Sequence, residues 1–251
     1  MHAQDNPWLM VKNSGQPALM RLICFSCAGA DPATSLAWAD DLDDHIELVS
    51  VCLPGHGPRT HEAALDDWPT LLEQTFAQLK PLLAEPHALF GHCLGGSIAY
   101  EIAKRATRAF PGQTHRLFIA GCRSPDSRPR PPLLHQLPRP ALFEALQALN
   151  AVTAQQCADL HFTLALEPML RCDLTLAESW SDTAGHSLDV PLTALYGSDD
   201  PLDPLADMLR WGQFTQREFE LIELRGDHFF VHSQRQRLLH IFNTHLGLLS
   251  A

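Results

Sequence analysis

Short apolar runs, rich in β-branched and aromatic residues, alternate along the chain with longer stretches in which apolar residues recur every three or four positions. The short runs lie at 20–26, 46–53, 87–90, 116–120, 190–196 and 219–224 and read as strands. Between the second and third, Leu72, Phe76, Leu79 and Leu83 share one helical face, and Pro81 is expected to kink or end that helix. Ile98, Ala99, Ile102, Ala103 and Ala106 mark a helix after the third run, and Leu238, Leu239, Phe242 and Leu246 mark a last one from about Ser233. Apolar strands separated by helices indicate an α/β fold, a mostly parallel central sheet flanked by helices. One stretch breaks the alternation. From 124 to 185 no strand pattern occurs; a Pro-rich opening (Pro125, Pro129, Pro131, Pro132, Pro138, Pro140) leads into helices expected around 142–149, 154–166 and 169–180. Such an insertion is either a lid over the active end of the sheet or a fixed helical cap, and both readings stand. The length of 251 residues suits one domain, 1–251, with 124–185 inserted within it.

Charge and cysteine content narrow the class. A net charge of −11 argues against a general nucleic-acid binder. No apolar stretch approaches the ~20 residues of a membrane span, and the opening Met1-His2-Ala3-Gln4-Asp5 lacks the basic and apolar regions of a signal peptide. A cytoplasmic protein is expected. The seven cysteines are odd in number and spread along the chain, as unpaired thiols in a reducing compartment would be. Cys24 and Cys27 form a C-x-x-C, but no second pair completes a zinc site, and Cys24 falls within a strand rather than at a helix start. His228 and His232 stand four apart without the H-E-x-x-H that would make them metal ligands. Neither a metal nor a cofactor is expected.

The chemistry concentrates at Gly91-His92-Cys93-Leu94-Gly95, a Gly-x-nucleophile-x-Gly segment between an apolar run and an amphipathic helix. That is the nucleophile elbow of the α/β-hydrolase fold, with a cysteine where serine is usual. At a helix N-terminus, backbone N–H groups and the helix dipole favour a thiolate. A cysteine nucleophile needs a base, and the base an orienting acid, in the chain order nucleophile, acid, base. Asp200 follows the run at 190–196 and His228 follows the run at 219–224, so Cys93, Asp200 and His228 each stand just past the end of a strand. Asp199 is the alternative acid, since Asp200-Pro201 is also a common helix opening. The oxyanion is expected to meet the backbone N–H of Leu94 and one from the loop after the first run, Ala28 or its neighbour Cys27.

Several further segments carry a resemblance. They are Asn6-Pro7-Trp8-Leu9, Arg21-Leu22-Ile23-Cys24-Phe25-Ser26-Cys27-Ala28-Gly29, Leu53-Pro54-Gly55-His56-Gly57-Pro58-Arg59 and Leu117-Phe118-Ile119-Ala120-Gly121-Cys122-Arg123-Ser124-Pro125. Leu170-Arg171-Cys172-Asp173 through Glu178, and Gly226-Asp227-His228-Phe229-Phe230, complete the ordered set. Over nearly its whole length the chain resembles the type II thioesterases that accompany nonribosomal peptide and polyketide synthases. The resemblance implies hydrolysis of acyl or aminoacyl thioesters from the phosphopantetheine arm of carrier proteins, under a helical cap at 124–185. Departures from the family pattern are Cys93 for serine, Ser26 for proline, Ala30 for glycine, His56 for arginine and Asp227 for glycine.

Eight basic residues, Lys104, Arg105, Arg108, Arg116, Arg123, Arg128, Arg130 and Arg139, lie between 104 and 139 with one acid, Asp126, a local reversal of sign in an acidic chain. Arg123, Arg128 and Arg130 are candidate contacts for the carrier or its phosphate; the alternative is a solvated face plus capping arginines. A monomer is expected. Cys93 also keeps acyl transfer between carriers open, because an acyl-cysteine is itself a thioester. A dienelactone-hydrolase-like enzyme and an inert carrier-binding protein are the remaining alternatives.

Overall fold

The structure, a computed structural model, describes residues 6–12, 18–129, 131–182, 185 and 187–247. Among them, β1 (Leu9–Val11), β2 (Met20–Phe25), β3 (Ile46–Val51), β4 (His87–His92), β5 (Thr114–Ala120), β6 (Leu192–Gly197) and β7 (Phe219–Leu224) form one sheet. Its spatial order is β1-β3-β2-β4-β5-β6-β7. Only β1 runs antiparallel, pairing Leu9 with Val51; the other neighbours are parallel. The helices are α1 (Ala33–Leu36), α2 (Trp68–Leu83), α3 (Leu94–Ala109), α4 (Arg139–Ala148), α5 (Ala154–Ala158), α6 (Leu160–Ser179), α7 (Leu205–Leu209), α8 (Phe230–Ser233) and α9 (Arg235–Gly247). This is an α/β-hydrolase-like sheet covered by helices on both faces.

The six expected strands all form; five are largely buried on both faces, which a parallel arrangement satisfies, while β7 at the sheet edge is only half-buried. On one face Leu71, Leu79, Ile98 and Ile102 of α2 and α3 pack with Tyr100, Trp180 and Trp211. On the other, Phe242 of α9 meets Phe90 and Phe118 edge-on, at ring-centre distances of 5.2 and 5.0 Å. Each such buried side chain contributes about 1.5–3 kcal/mol of transfer free energy.

Three local features depart from the sequence reading. The antiparallel strand β1 is too short to show a pattern. Helix α2 continues two residues past Pro81, which occupies its last turn. The break expected between 166 and 169 is absent, since α6 runs through the exposed Pro168. The chain breaks instead at Asp159, whose carboxylate accepts from the N–H groups of His161 and Phe162 and starts α6.

Helices α4, α5 and α6 follow β5 and precede β6, and no strand occurs among the described residues of 124–182. Leu142, Phe143, Leu146, Leu170 and Leu174 give them a small core of their own, against which Ala28 packs. The helical segment therefore rests on the loop that follows β2.

Candidate active site

Cys93 joins β4 directly to α3 and adopts φ 53°, ψ −118°. A non-glycine residue with this backbone stores about 1–3 kcal/mol, which the surroundings must hold. They do so by close packing. A Cβ on Gly91 would lie 2.0 Å from the carbonyl oxygen of Gly95, and one on Gly95 would lie 2.1 Å from that of Phe25. Both neighbours are backbone and cannot give way. The Cys93 N–H bonds to Ala120 O at 2.9 Å, tying the turn to β5.

His228 lies in the loop between β7 and α8, buried, with Nδ1 2.9 Å from Asp200 Oδ2. The carboxylate accepts, so Nδ1 carries the hydrogen and Nε2 is left for the substrate side. Burial works to lower the His228 pKa, but Cys93 and Asp200 overcome it and hold the imidazole well above its ordinary value. Asp200 sits just after β6. Its Oδ1 accepts from the N–H groups of Leu202 at 2.8 Å and Asp203 at 3.2 Å. Burial would raise its pKa, yet His228 and these N–H groups bring it below the usual carboxylate value. Asp199 is exposed and accepts instead from the Ser198 hydroxyl. The structure therefore places Cys93, His228 and Asp200 together and leaves Asp199 outside.

Leu94 is the first residue of α3, and its N–H meets no acceptor among the described residues. The same holds for the N–H groups of Cys27 and Ala28 in the loop after β2, while the next one, Gly29 N–H, bonds to Asp173 Oδ2 at 2.8 Å. Unpaired backbone donors from the start of α3 and the loop after β2, beside one nucleophile, are the arrangement a developing oxyanion needs.

Four further residues, to which the sequence assigns no role, complete the site. His92 Nε2 donates to His228 O at 2.8 Å and so fixes the histidine loop. Burial, helped by His228, pushes the His92 pKa down to about 3, which keeps this imidazole neutral. Asp203 Oδ2 lies 3.7 Å from His228 Nδ1, and burial raises its pKa to about 6. His56 and Asp173 form a buried pair at 2.8 Å. Asp200, Asp203 and His228 offer ligand atoms within 4.8 Å of one another. A cation there would compete for the Asp200–His228 hydrogen bond that orients the imidazole.

The basic stretch behaves differently from its appearance in the sequence. Lys104 pairs with Glu101 and Asp182, Arg116 with Glu218, and Arg139 with Glu167. Arg123 turns inward, donating to the carbonyls of Ser127, Ala177 and Trp180 and lying 5.6 Å from the centre of the Trp180 ring. Three of its five N–H donors are thus engaged by carbonyls of the fold, the capping alternative to a phosphate contact. Arg128 is exposed, and Arg130 lies outside the described residues.

The Thioesterase domain family matches residues 20–246. The chain belongs to that family. It is a thioester hydrolase. It is 28% identical to Thioesterase PikA5 of Streptomyces venezuelae over 98% of this chain and 88% of that protein. Among solved structures, the RedJ thioesterase from the prodiginine biosynthetic pathway in Streptomyces coelicolor is 30% identical, with a TM-score of 0.85 over 92% of this chain and 88% of that one. The type II thioesterase BorB from the borrelidin biosynthetic cluster is 28% identical, again with a TM-score of 0.85, over 95% and 97% of the two chains. Among the described residues no helix of this thioesterase is long and apolar enough to cross a membrane.

Proposed function

We propose that this thioesterase is a type II enzyme of nonribosomal peptide and polyketide assembly. It releases misloaded acyl or aminoacyl groups from the phosphopantetheine arm of carrier proteins, through an acyl-cysteine on Cys93. The observation that carries this reading is the Cys93 thiol at the elbow with the His228–Asp200 pair beside it. The similarity to PikA5, RedJ and BorB supports the pathway class. A cytoplasmic monomer with the helical segment at 124–185 acting as a lid belongs to the same proposal.

The Cys93 thiolate attacks the carrier thioester carbonyl, whose oxygen takes the negative charge and faces the N–H groups of Leu94 and Ala28, or Cys27 in its place. The carbon–sulfur bond to pantetheine breaks, and the leaving thiolate takes the proton held by His228. Water then gives a proton to His228 Nε2 and attacks the acyl-cysteine; the acid leaves and Cys93 is regenerated. Throughout, Asp200 holds the imidazole and balances its charge.

The sulfur favours one second reading. An acyl-cysteine is a thioester, so its attack by a second pantetheine thiol is nearly energy-neutral, and the acyl group would pass between carriers. Intact-mass analysis of loaded carrier, enzyme and an empty second carrier separates the two. Free acid with no acyl group on the second carrier is expected; acyl accumulation there identifies a transferase, and no covalent adduct on Cys93 overturns both. For the carrier surface, Arg128 is the exposed candidate. Arg128→Glu is expected to slow turnover of carrier-bound substrate about 5- to 10-fold and leave a small free thioester unaffected; equal rates on the carrier substrate remove Arg128 from the interface.

A further inference from the structure

The buried pair between the loop after β3 and helix α6 has a hydrogen-bond inventory that fixes its charge. His56 Nδ1 lies 3.1 Å from Pro54 O, and a carbonyl only accepts, so Nδ1 carries a hydrogen. His56 Nε2 lies 2.8 Å from Asp173 Oδ2, which also accepts the Gly29 N–H at 2.8 Å. One proton lies between Nε2 and the carboxylate, and the Asp173 bond and charge, which raise the imidazole pKa despite burial, hold it on the ring. Both ring nitrogens therefore carry hydrogen. We propose that His56 is a buried imidazolium which, through Asp173, acts as a positioning residue for the loop presenting the Cys27 and Ala28 N–H groups.

The chain of contacts is short. Gly29 has φ +75°, so its N–H direction is set by a turn that few residues adopt, and Asp173 is its acceptor. Asp173 is 2% exposed. An isolated carboxylate there would be strongly disfavoured, and the imidazolium makes its burial tolerable. The oxyanion donors thus depend on a carboxylate from α6 and a cation from the β3 loop. This rests on the assignment of those N–H groups to the oxyanion, and the chemistry of the carrier does not enter it.

The groups facing His56 set its titration. Asp173 comes from α6, Asp31 lies beside Gly57, and the Cys27 thiol lies near Asp173. Within the loop, Arg59 is paired with Glu62, and the Cys52 thiol donates to His56 O. Burial lowers the His56 pKa, but the Asp173 bond and charge and the Pro54 carbonyl raise it more, so the net shift is upward. The clamp is therefore fully charged below the ordinary histidine value of about 6.5 and is lost as pH rises through the elevated one.

The full-length enzyme with p-nitrophenyl acetate tests this, because the activated ester acetylates Cys93 without a carrier. Iodoacetamide is the control: sulfur displaces iodide and no oxyanion forms. Asp173→Ala is expected to slow the acetylation burst about 10-fold, a fraction of the 10²–10³ seen when an oxyanion donor is removed outright, with alkylation unchanged. The ratio of acetylation to alkylation, which cancels the titration of Cys93 itself, should fall at alkaline pH in the wild type and stay level in His56→Arg. Nitrogen NMR of the His56 ring should show both nitrogens protonated at pH 7, and a neutral ring in Asp173→Asn, the variant to use should Asp173→Ala not fold. A neutral ring in the wild type, parallel loss of acetylation and alkylation, or acetylation within twofold of wild type in both Asp173 variants overturns the proposal. A wild type that is alkylated but never acetylated overturns the oxyanion assignment beneath it. Rapid acetylation without carrier turnover would count against the proposed function alone.

Discussion

Cys93 is the residue on which the proposed chemistry turns. Cys93→Ala is expected to abolish both turnover and the covalent adduct in an intact-mass experiment; an adduct on another residue would remove Cys93 as nucleophile. Cys93→Ser should shift the partition toward hydrolysis, since an acyl-serine is a lower-energy ester that a thiol attacks less readily. Equal partition in the two proteins would refute that. For the base, Asp200→Asn leaves His228 Nδ1 without its carboxylate and should lower kcat about 10³- to 10⁴-fold. Asp203 stands 3.7 Å from the same nitrogen, so a much smaller loss would show that it takes over. Cys93, Asp200 and His228 were readable in the sequence because each follows a strand and the elbow glycines announce the first. His56 and Asp173 were not paired there, although each lies in a segment that carries the resemblance, since 117 positions separate them and no local pattern links the two. A capping role for arginines of the basic stretch was an open alternative, but which one turns inward was not legible: two of the carbonyls that receive Arg123 lie 54 and 57 positions away.

At the level of elements, the β4–α3 turn is the least tolerant of change. Gly91→Ala and Gly95→Ala each drive a methyl into backbone at 2.0 and 2.1 Å, and a loss of about 3 kcal/mol or more is expected from such overpacking, read as a lowered urea midpoint. Asp159→Ala, which removes only the cap of α6, should cost about 1 kcal/mol; a loss as large as that of the glycine variants would mean α6 depends on its first turn far more than its packing implies. The inner strands were legible because burial on both faces leaves nearly continuous apolar runs, and the edge strand β7 because Phe219, Leu221, Ile222 and Leu224 keep its pattern apolar despite Glu220 and Glu223. The division of the 154–179 segment was not, because the eye falls on Pro168 while the physical break is set by the Asp159 carboxylate.

At the scale of the whole molecule, four buried histidines among the described residues pull stability in opposite directions with pH. His92 and His87 have values lowered to about 3 and about 4, chiefly by burial. Below the ordinary value of about 6.5 the unfolded chain binds protons that these two do not, so stability falls as pH drops through that window. His56 and His228 are raised, and their contribution, complete below about 6.5, is lost as pH climbs through their elevated values. The melting temperature is therefore expected to peak between the two limbs. His87 Nδ1 donates to Glu85 O and Nε2 accepts from the Thr114 hydroxyl, so His87→Gln should flatten the acid limb; an unchanged slope would show that other groups dominate it.

The position of β7 at the edge of the sheet has a consequence during synthesis. The ribosome makes the nucleophile strand, then the cap, then the acid, and only afterwards the edge strand β7 and the histidine loop behind it. His228 O is held by His92, at the end of β4, so the base is seated only once that late strand docks beside β6. A nascent chain therefore carries its thiol without a partner until β7 and the loop behind it have emerged, and hydrolytic competence follows the docking of that strand.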